Sequence, residues 1–539
     1  MKLNRLLLLA TIGAVVASSC TKLDDVLPQS GTMLASQVQE TNTIAPSRAS
    51  AAFAGMFTNI GKPQKMYANP DDWEFLMINF CNDLEGADAL IADSNYNWFS
   101  VCGELSSRNA NYRNPYIRYR APYNMIADIN TFIAGFPEDE STWTPEVLNM
   151  VAQSRALRAY SYMLLVPNYQ FGYSVAADQP CVPICSPDIE DFTHNPRATV
   201  RQVLEIVLSD LDYAVAKLAG ASRTTKAYID ESVARAIRAR VYLYMGEWQK
   251  ALDDATAAAN GYAPKTIADL ARPTFYDINE ADWIWGYDMT EATAKNGIYA
   301  TTSSWLRSFS GYGYAPATQT TTCINTLLWN MIPETDVRKG WWIDENLKSP
   351  LIDDLSWPGC EGDLAHASDG GDAKLEFLPY TNVKFGCKTI GTTTNDEDMP
   401  LIRVEEMLLI KFECMQRLGQ DGVGEMEKFI REYRDPEYNW SDKGLEPLDE
   451  IWFQRRVELW GEGFFTYDQK RLNKPIVRFH DETNNISPAF RFNLAADDPW
   501  LLLRFPQGEM NTNYDIVDNA GGQQPKTDEG KTLRDGVTD

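Results

Sequence analysis

The stretch that decides the fold is residues 231–258, which read ESVARAIRARVYLYMGEWQKALDDATAA. Small and apolar residues recur at helical spacing on both sides of Gly246. Tyr242 and Trp248 supply an aromatic ring on either side of that glycine. We therefore predict two antiparallel helices: the first covers about Glu231 to Met245, and the second begins after Gly246.

This order of small and aromatic residues around a glycine is typical of a tetratricopeptide helical hairpin. A second, weaker copy starts at Pro400, which we predict to be the first residue of its helix, and runs to Gly419. Because each hairpin buries its apolar face only by stacking on others, the two copies must meet in space. The residues between them, 262–399, are therefore predicted to be an insertion.

Two further helices are predicted before this hairpin. Apolar residues from Ala152 to Leu165 follow helical spacing, and Pro167 is expected to stop the run. In the next segment, Thr199 and Gln202 can form a capping box, with Gly220 as the stop signal after the helix. The chain is therefore predicted to be mainly α-helical.

The composition of the 539-residue chain limits its function. Hydrophobic residues make up 44% and aromatic residues 12%, which is enough for a large core. The net charge of −26 disfavours nucleic-acid binding, because tracking phosphates needs clustered basic residues. The three histidines, His194, His366 and His480, are far apart, which disfavours a histidine-based zinc site. We predict no catalytic residues, no metal ligands and no cofactor, and the sequence leaves a structural Ca²⁺ open.

The N-terminus has the pattern of an export signal. Basic residues precede an uncharged run from Leu6 to Ala17, and small residues then lead to Cys20. The run is too short to cross a hydrocarbon core of about 30 Å as a helix. We predict that residues 1–19 are a lipoprotein signal peptide, that Cys20 is lipidated, and that residues 20–50 form a lipidated tether. The alternative is an ordinary secreted protein in which a cysteine occurs there by chance.

The cysteines after Cys20 have irregular spacing. Cys181 and Cys185 are the only close pair, so one local disulfide can form there. Cys414 lies in a helical pattern and is predicted to be a small buried residue.

Two segments differ from the helical remainder. Residues 70–122 and 262–399 are rich in aromatic residues, with many Asn and Asp residues in the first and Thr-rich and Gly-rich stretches in the second. Neither shows much helical periodicity. Because binding residues concentrate on loops held by rigid elements, we predict that these two irregular segments form the ligand-binding part.

Several motifs resemble the SusD/RagB family of Bacteroidetes nutrient-binding outer-membrane lipoproteins, and the likeness covers nearly the whole chain. The most specific is RRVELWGEG, from Arg455 to Gly463, which is similar to a C-terminal helix of the family. The other matching segments are the lipoprotein start at Cys20, Ser154 to Tyr160, the hairpin from Ala234 to Ala258, and Phe505 to Met510.

The resemblance implies a single domain over residues 51–539, with about four tetratricopeptide-like hairpins packed against an irregular, loop-rich region. It also implies a non-catalytic protein that is lipid-anchored in the outer membrane, faces the extracellular side and captures oligosaccharides. The implied partner is a SusC-like TonB-dependent transporter, which would receive the ligand.

The candidate ligand contacts are polar and aromatic, because pyranose rings stack on aromatic faces and sugar hydroxyls need polar partners. In the first segment the candidates are Asp83, Asp88, Asn95, Tyr96 and Trp98. In the insertion they are Trp283, Trp285, Trp305, Tyr312 and Tyr314. Core packing is the alternative for each aromatic residue, and Trp283 and Trp285 can be two inward residues of one strand. Tyr312 and Tyr314 alternate with glycines, which predicts that they are exposed.

Three other functions fit the same sequence. RagB-like members of the family are associated with peptides, so the ligand can be a peptide instead of a glycan. A helical-fold glycoside hydrolase needs two carboxylates about 5–10 Å apart. Glu462 and Asp468 are the obvious pair, but their place in the segment from Arg455 to Arg471 favours a salt-bridged scaffold. A purely structural adaptor would bind protein partners without a small ligand.

Overall fold

The structure is a computed structural model of the chain. It describes residues 46–91, 97–186, 191–295, 297–310, 313–315, 320–352, 374–389, 393–480 and 484–530, with short pieces at 38–39, 42, 189, 366–368 and 391. The signal peptide, Cys20 and the tether before residue 38 lie outside the described residues, so their predictions stay predictions.

Eleven helices of eight residues or more lie within the described ranges. They are α1 (Pro46–Thr58), α2 (Glu74–Leu84), α3 (Arg113–Ala134), α4 (Pro145–Tyr169), α5 (Val200–Lys217), α6 (Glu231–Met245), α7 (Trp248–Ala258), α8 (Val404–Arg417), α9 (Gly422–Tyr433), α10 (Pro447–Glu458) and α11 (Phe465–Leu472). Shorter α-helices cover Ser100–Gly103, Tyr173–Ala176, Ile267–Leu270, Glu291–Ala294, Thr302–Leu306, Thr326–Trp329 and Gln507–Thr512.

The hairpin of residues 231–258 forms as predicted. The side chain of Asp230 caps α6 by accepting the backbone N–H of Val233 at 3.0 Å. Gly246 then adopts a φ of 78°, a left-handed conformation that glycine takes without strain. The second helix, α7, starts at Trp248 and packs along α6.

The long helices pack in a row. Along it, α3 contacts α4, α4 contacts α5, α5 contacts α6, and α6 contacts α7. Next, α7 contacts α8, and α8 contacts both α9 and α10. The two predicted hairpin copies therefore meet at the α7–α8 contact although the insertion separates them in sequence. The mainly α fold with tetratricopeptide-like hairpins is confirmed.

One helix start is confirmed, and one helix end differs from the prediction. Thr199 and Gln202 form the expected capping box at the start of α5. Pro167 does not stop α4, which continues to Tyr169. The last turn of α4 is buried, so its packing outweighs the single backbone hydrogen bond that a proline removes.

The strands are short and, in the described residues, pair in two-stranded antiparallel sheets. The pairs are β1 (Ala89–Ile91) with β3 (Thr322–Ile324), β2 (Trp283–Tyr287) with β6 (Met399–Arg403), β4 (His366–Ser368) with β5 (Lys374–Glu376), and β7 (Ile476–Val477) with β8 (Asn493–Leu494). The β1–β3 pair joins the first irregular segment to the insertion.

Pro400 is not the first residue of a helix, as the sequence had predicted. It lies in β6, opposite Gly286 of β2, and α8 begins at Val404. The ladder is irregular between Trp285 and Gly286. A proline has no N–H to donate to the ladder, and a strand tolerates a proline at an irregularity of this kind.

The first irregular segment is also more helical than predicted. Within residues 70–122, α2 covers Glu74–Leu84 and α3 begins at Arg113. Both helices are rich in aromatic and polar residues that are buried on more than one face, which weakens the helical periodicity of the sequence.

A buried ionic network ties the C-terminal motif to the insertion. The fully buried Arg403 donates to both carboxylate oxygens of Glu462, at 2.8 and 2.9 Å, and to Glu458 at 3.2 Å. Lys384 donates to Glu462 at 2.8 Å, and Arg434 donates to Glu458 at 2.8 and 3.0 Å. Burial opposes ionisation of Glu462, but Arg403 and Lys384 hold its pKa below the ordinary value.

The cysteines of the described ranges are free thiols, including Cys181 and Cys185. The local disulfide that the sequence allowed is therefore absent from this pair. Cys414 is fully buried in α8, as predicted.

Candidate functional site

The two irregular segments meet and form one surface. The Trp305 indole N–H donates to the backbone oxygens of Pro70, at 3.1 Å, and Tyr299, at 3.0 Å. The Trp305 ring also meets Phe99 edge to face, with ring centroids 4.8 Å apart. Residues from 70–122 and from 262–399 are therefore locked together by a buried tryptophan.

Trp98 is half-buried on this surface. Its indole N–H donates to the Tyr314 hydroxyl at 3.2 Å. The guanidinium of Arg113 lies 4.9 Å from the centroid of its ring, and Arg113 in turn pairs with Asp71 at 2.9 Å. These contacts fix the orientation of the ring.

Tyrosines extend the surface beyond Trp98. The Tyr314 ring is stacked on Trp305 with centroids 4.3 Å apart and planes inclined by 5°. Tyr299 meets Tyr314 at 5.6 Å and is 37% exposed. The buried Trp305 thus supports Tyr314, and Tyr314 positions its more exposed neighbours.

The loop before α2 supplies another ring. The buried Asp72 accepts the backbone N–H of Met66 at 2.7 Å and that of Tyr67. This turn holds Tyr67, which is 36% exposed, against Tyr116 with ring centroids 6.0 Å apart. We call Tyr67, Trp98, Arg113, Tyr116, Tyr299 and Tyr314 the aromatic surface.

Burial raises the pKa of the acidic groups beneath this surface. For Asp71, burial outweighs the lowering effect of Arg113, and for Asp72 it outweighs the hydrogen bonds from Tyr67 and Met66. Burial also raises the pKa of Glu74 to about 7. Neither carboxylate oxygen of Glu74 has a hydrogen-bond partner among the described residues.

The aromatic surface has the chemistry of a sugar site. Partly exposed rings can stack on the apolar C–H face of a pyranose, and phenol hydroxyls and a guanidinium can pair with sugar hydroxyls. Among the described residues, no group of three or more His, Cys, Asp or Glu side chains is placed to hold a metal ion.

Of the ten candidate contacts, the structure brings Trp98 and Tyr314 together on this surface. Tyr314 is only 8% exposed, less than its glycine-flanked position predicts, because it is stacked on Trp305. Trp305 itself has no exposed surface, so it supports the site and does not line it.

Trp283 and Trp285 belong to the core, which corrects the prediction that they contact ligand. Both have no exposed surface in β2, and the Trp285 indole N–H donates to the Ala227 backbone oxygen at 3.0 Å. Residues two apart in a strand share one face, and every residue of β2 is buried. The strand alternative recognised in the sequence describes them correctly.

Asp83 and Asp88 are also part of the scaffold, which corrects their predicted role. Asp83 accepts the backbone N–H groups of Gly463, at 2.8 Å, and Phe465, at 3.0 Å, and burial raises its pKa to about 7. Asp88 pairs with Arg456 at 2.6 Å. Both carboxylates therefore anchor the RRVELWGEG motif.

Asn95, Tyr96 and Tyr312 lie outside the described residues, so their predicted role stays a prediction. Four members of the aromatic surface, Tyr67, Arg113, Tyr116 and Tyr299, were not among the candidates. Tyr67 lies just before the predicted segment. Tyr299 lies inside the insertion but carries no signal that separates it from the other aromatic residues there.

Comparison with known families gives two matches. Residues 40–243 match a SusD-like family model described as starch-binding and associating with the outer membrane. Residues 365–521 match the model of the SusD family. None of the helices in the described part of the chain has an apolar stretch that could span a bilayer.

Individual relatives agree with these models. A SusD-like protein of Formosa agariphila is 24% identical over 396 residues, which is 67% of this chain and 73% of that protein. A solved SusD-like carbohydrate binding protein from Bacteroides vulgatus is 20% identical, with a TM-score of 0.69 over 87% of this chain and 97% of the other. A solved laminarin binding SusD-like protein is 16% identical, with a TM-score of 0.59 over 88% and 99%. The solved structures show that the fold is shared.

Proposed function

The chain belongs to the SusD/RagB family, and from this premise we propose that it captures oligosaccharides at the cell surface and delivers them to a SusC-like TonB-dependent outer-membrane transporter. The observation that carries the proposal is the aromatic surface, where Trp98, Tyr299 and Tyr314 form one partly exposed group of rings. A similar fold in a carbohydrate binding protein and in a laminarin binding protein supports a glycan as the ligand.

We propose binding without turnover. Glu462, one of the two carboxylates considered as a catalytic pair, forms ion pairs with Arg403 and Lys384. Asp468, the other, pairs with Arg455 and Arg471, each at 2.7 Å. A hydrolase needs one carboxyl group that keeps a proton and an open space between the two groups. The cations around Glu462 lower its pKa and favour its ionised form, and Asp468 is bridged between two arginines, so both carboxylates have a structural role.

The proposal is tested on the chain from residue 21 onward, produced without lipid. Native gels that contain laminarin, starch or xylan should retard the protein, and calorimetry with a peptide mixture should show no heat of binding. Release of reducing ends at an enzyme-like rate, lost on Glu462→Gln, would overturn the binding-only function. Peptide binding without any glycan binding would favour the peptide alternative.

We also propose that Cys20 carries the lipid anchor, and that the protein faces the extracellular side. Cys20→Ala should release the protein from the membrane fraction while its thermal unfolding stays unchanged. Protease treatment of intact cells should degrade the wild-type protein if it faces outward. Membrane retention of the Cys20→Ala variant would contradict the anchor.

A further inference from the structure

We propose that the insertion carries a second binding site, for one ring of an oligosaccharide, in a cavity of about 540 Å³ that shares no lining residue with the aromatic surface. This cavity, called here the second cavity, is lined by residues between Trp329 and Leu351, with Tyr380 and Ala271 completing the wall. The volume is large enough for a hexose ring with its hydroxyl groups. That the ring belongs to a glycan rests on the proposed function.

Two aromatic rings form a corner of the second cavity. Trp329 and Tyr380 meet edge to face, with centroids 5.2 Å apart and planes inclined by 69°. Both side chains are half-buried, so each keeps part of its ring surface open. Two rings at this angle can contact the C–H face and the edge of one pyranose at the same time.

The charged groups of the wall fit a neutral ligand. Lys339 lies 4.2 Å from the centroid of the Trp329 ring and pairs with Glu334 at 2.6 Å. Glu345 and Lys348 are exposed at the rim and carry opposite charges. Glu334 is paired with Lys339 and Asp336 with Arg338, so the wall holds little unpaired charge that would favour a strongly charged ligand.

The wall is fixed before any ligand binds. Asp344 accepts the backbone N–H groups of Asn346 and Lys348, both at 2.8 Å, and Ser349 donates to the Gly340 backbone oxygen at 2.5 Å. The Tyr380 N–H donates to the Ile343 oxygen at 3.1 Å while its φ is 67°. A rigid wall reduces the entropy that is lost on binding.

The number of ligands bound per chain tests this proposal. Laminarihexaose, maltohexaose and xylohexaose are titrated into the chain from residue 21 onward by calorimetry, at concentrations that also saturate weak sites. We expect two molecules of at least one hexasaccharide per wild-type chain. Tyr380→Asn should abolish binding in the second cavity and leave one bound molecule; asparagine is chosen because it tolerates the positive φ. Trp98→Ala should abolish binding at the aromatic surface and leave the molecule in the second cavity. Tyr514→Ala is the control: it removes a tyrosine that is 69% exposed and lines neither site, so both molecules should still bind.

Trp329→Ala serves as a second variant at the same cavity, and thermal unfolding shows whether each variant is folded. A stoichiometry of one that Trp98→Ala abolishes and Tyr380→Asn leaves unchanged would overturn the second site while the proposed function stands. A stoichiometry of two that neither Tyr380→Asn nor Trp329→Ala reduces would also overturn it. Failure of the wild-type chain to bind any of the three probes would count against both proposals.

Discussion

The helical row and the aromatic surface are built from contacts of different range. In the row, each helix of the hairpin packs on its neighbour in the chain, as α6 does on α7. On the surface, Trp98 and Tyr314 are 216 positions apart, and Trp305 and Pro70 are 235 apart. The hairpin is therefore held by local contacts, and the surface is held by contacts between distant segments of the chain.

If this division holds, the largest effect on stability comes from the buried ionic network that ties the C-terminal motif to the insertion. Arg403→Ala should lower the free energy of unfolding by about 3–5 kcal/mol, because it leaves the buried Glu462 without its main partner and removes one cation from Glu458. Chemical denaturation measures the change. Arg431→Ala, which removes an exposed pair with Glu427, is the control and should change stability by less than about 1 kcal/mol. Equal effects of the two variants would contradict the role of the network.

Glu74, in the first turn of α2, should make stability depend on pH. Its folded pKa of about 7 lies above the ordinary value of 4.5, so the folded state keeps a proton that the unfolded state releases. Stability should therefore fall as pH rises from about 4.5 to 7. Glu74→Gln removes this loss and should be more stable than wild type by roughly 3 kcal/mol at pH 8.

Thermal unfolding of Glu74→Gln and wild type between pH 4 and 8 checks this expectation. The difference between the two proteins should be small at pH 4 and should grow across that window. A difference that is independent of pH would show that Glu74 does not titrate there.

Substituting a residue of the proposed binding site should change glycan affinity more than it changes stability. Trp98→Ala should weaken glycan binding by about 2 kcal/mol, or roughly 30-fold, because it removes a positioned ring from the proposed site. Its melting temperature should fall less than that of Arg403→Ala, since Trp98 is only half-buried. Calorimetry and thermal unfolding of the same preparation measure both effects. A large loss of stability with unchanged affinity would reverse the distinction between row and surface.

The smallest effect is expected in the hairpin turn. Gly246→Ala should cost about 1–2 kcal/mol, because an alanine is strained at a φ of 78°. Space is not the limiting factor, since an added Cβ would meet only the edge of Trp248, at 3.3 Å. Gly55→Ala in α1, where an added Cβ meets nothing within 4 Å, is the matched control and should be neutral or slightly stabilising. Denaturation of both variants measures the difference.

The same difference in range explains what could be predicted from the sequence. The α6–α7 hairpin was predictable to the residue at the ends of α6, because its cap, its turn and its periodicity are all local. The start of α8 was not, because Pro400 belongs to a strand whose partner lies in the insertion. Helical periodicity reflects only neighbours in the chain, so it cannot reveal that the strand containing Pro400 pairs with β2.

The candidate site was only partly predictable for a related reason. The sequence identified the two segments and the residues Trp98 and Tyr314, but it could not show that Trp283 and Trp285 face the core. Exposure of an aromatic residue in an irregular segment depends on which distant residue covers it. Tyr299 was missed because its partner, Tyr314, is itself placed by Trp305.

The hydrogen bond from Trp305 to Pro70 has a consequence for how the molecule is made. Contacts between adjacent helices close short loops, so they can form while synthesis is still under way, whereas closing a loop of 235 positions has to wait. We therefore expect the aromatic surface to form last, after the helices have folded. A nascent chain interrupted after the hairpin would lack Tyr299 and Tyr314, and with them part of the aromatic surface.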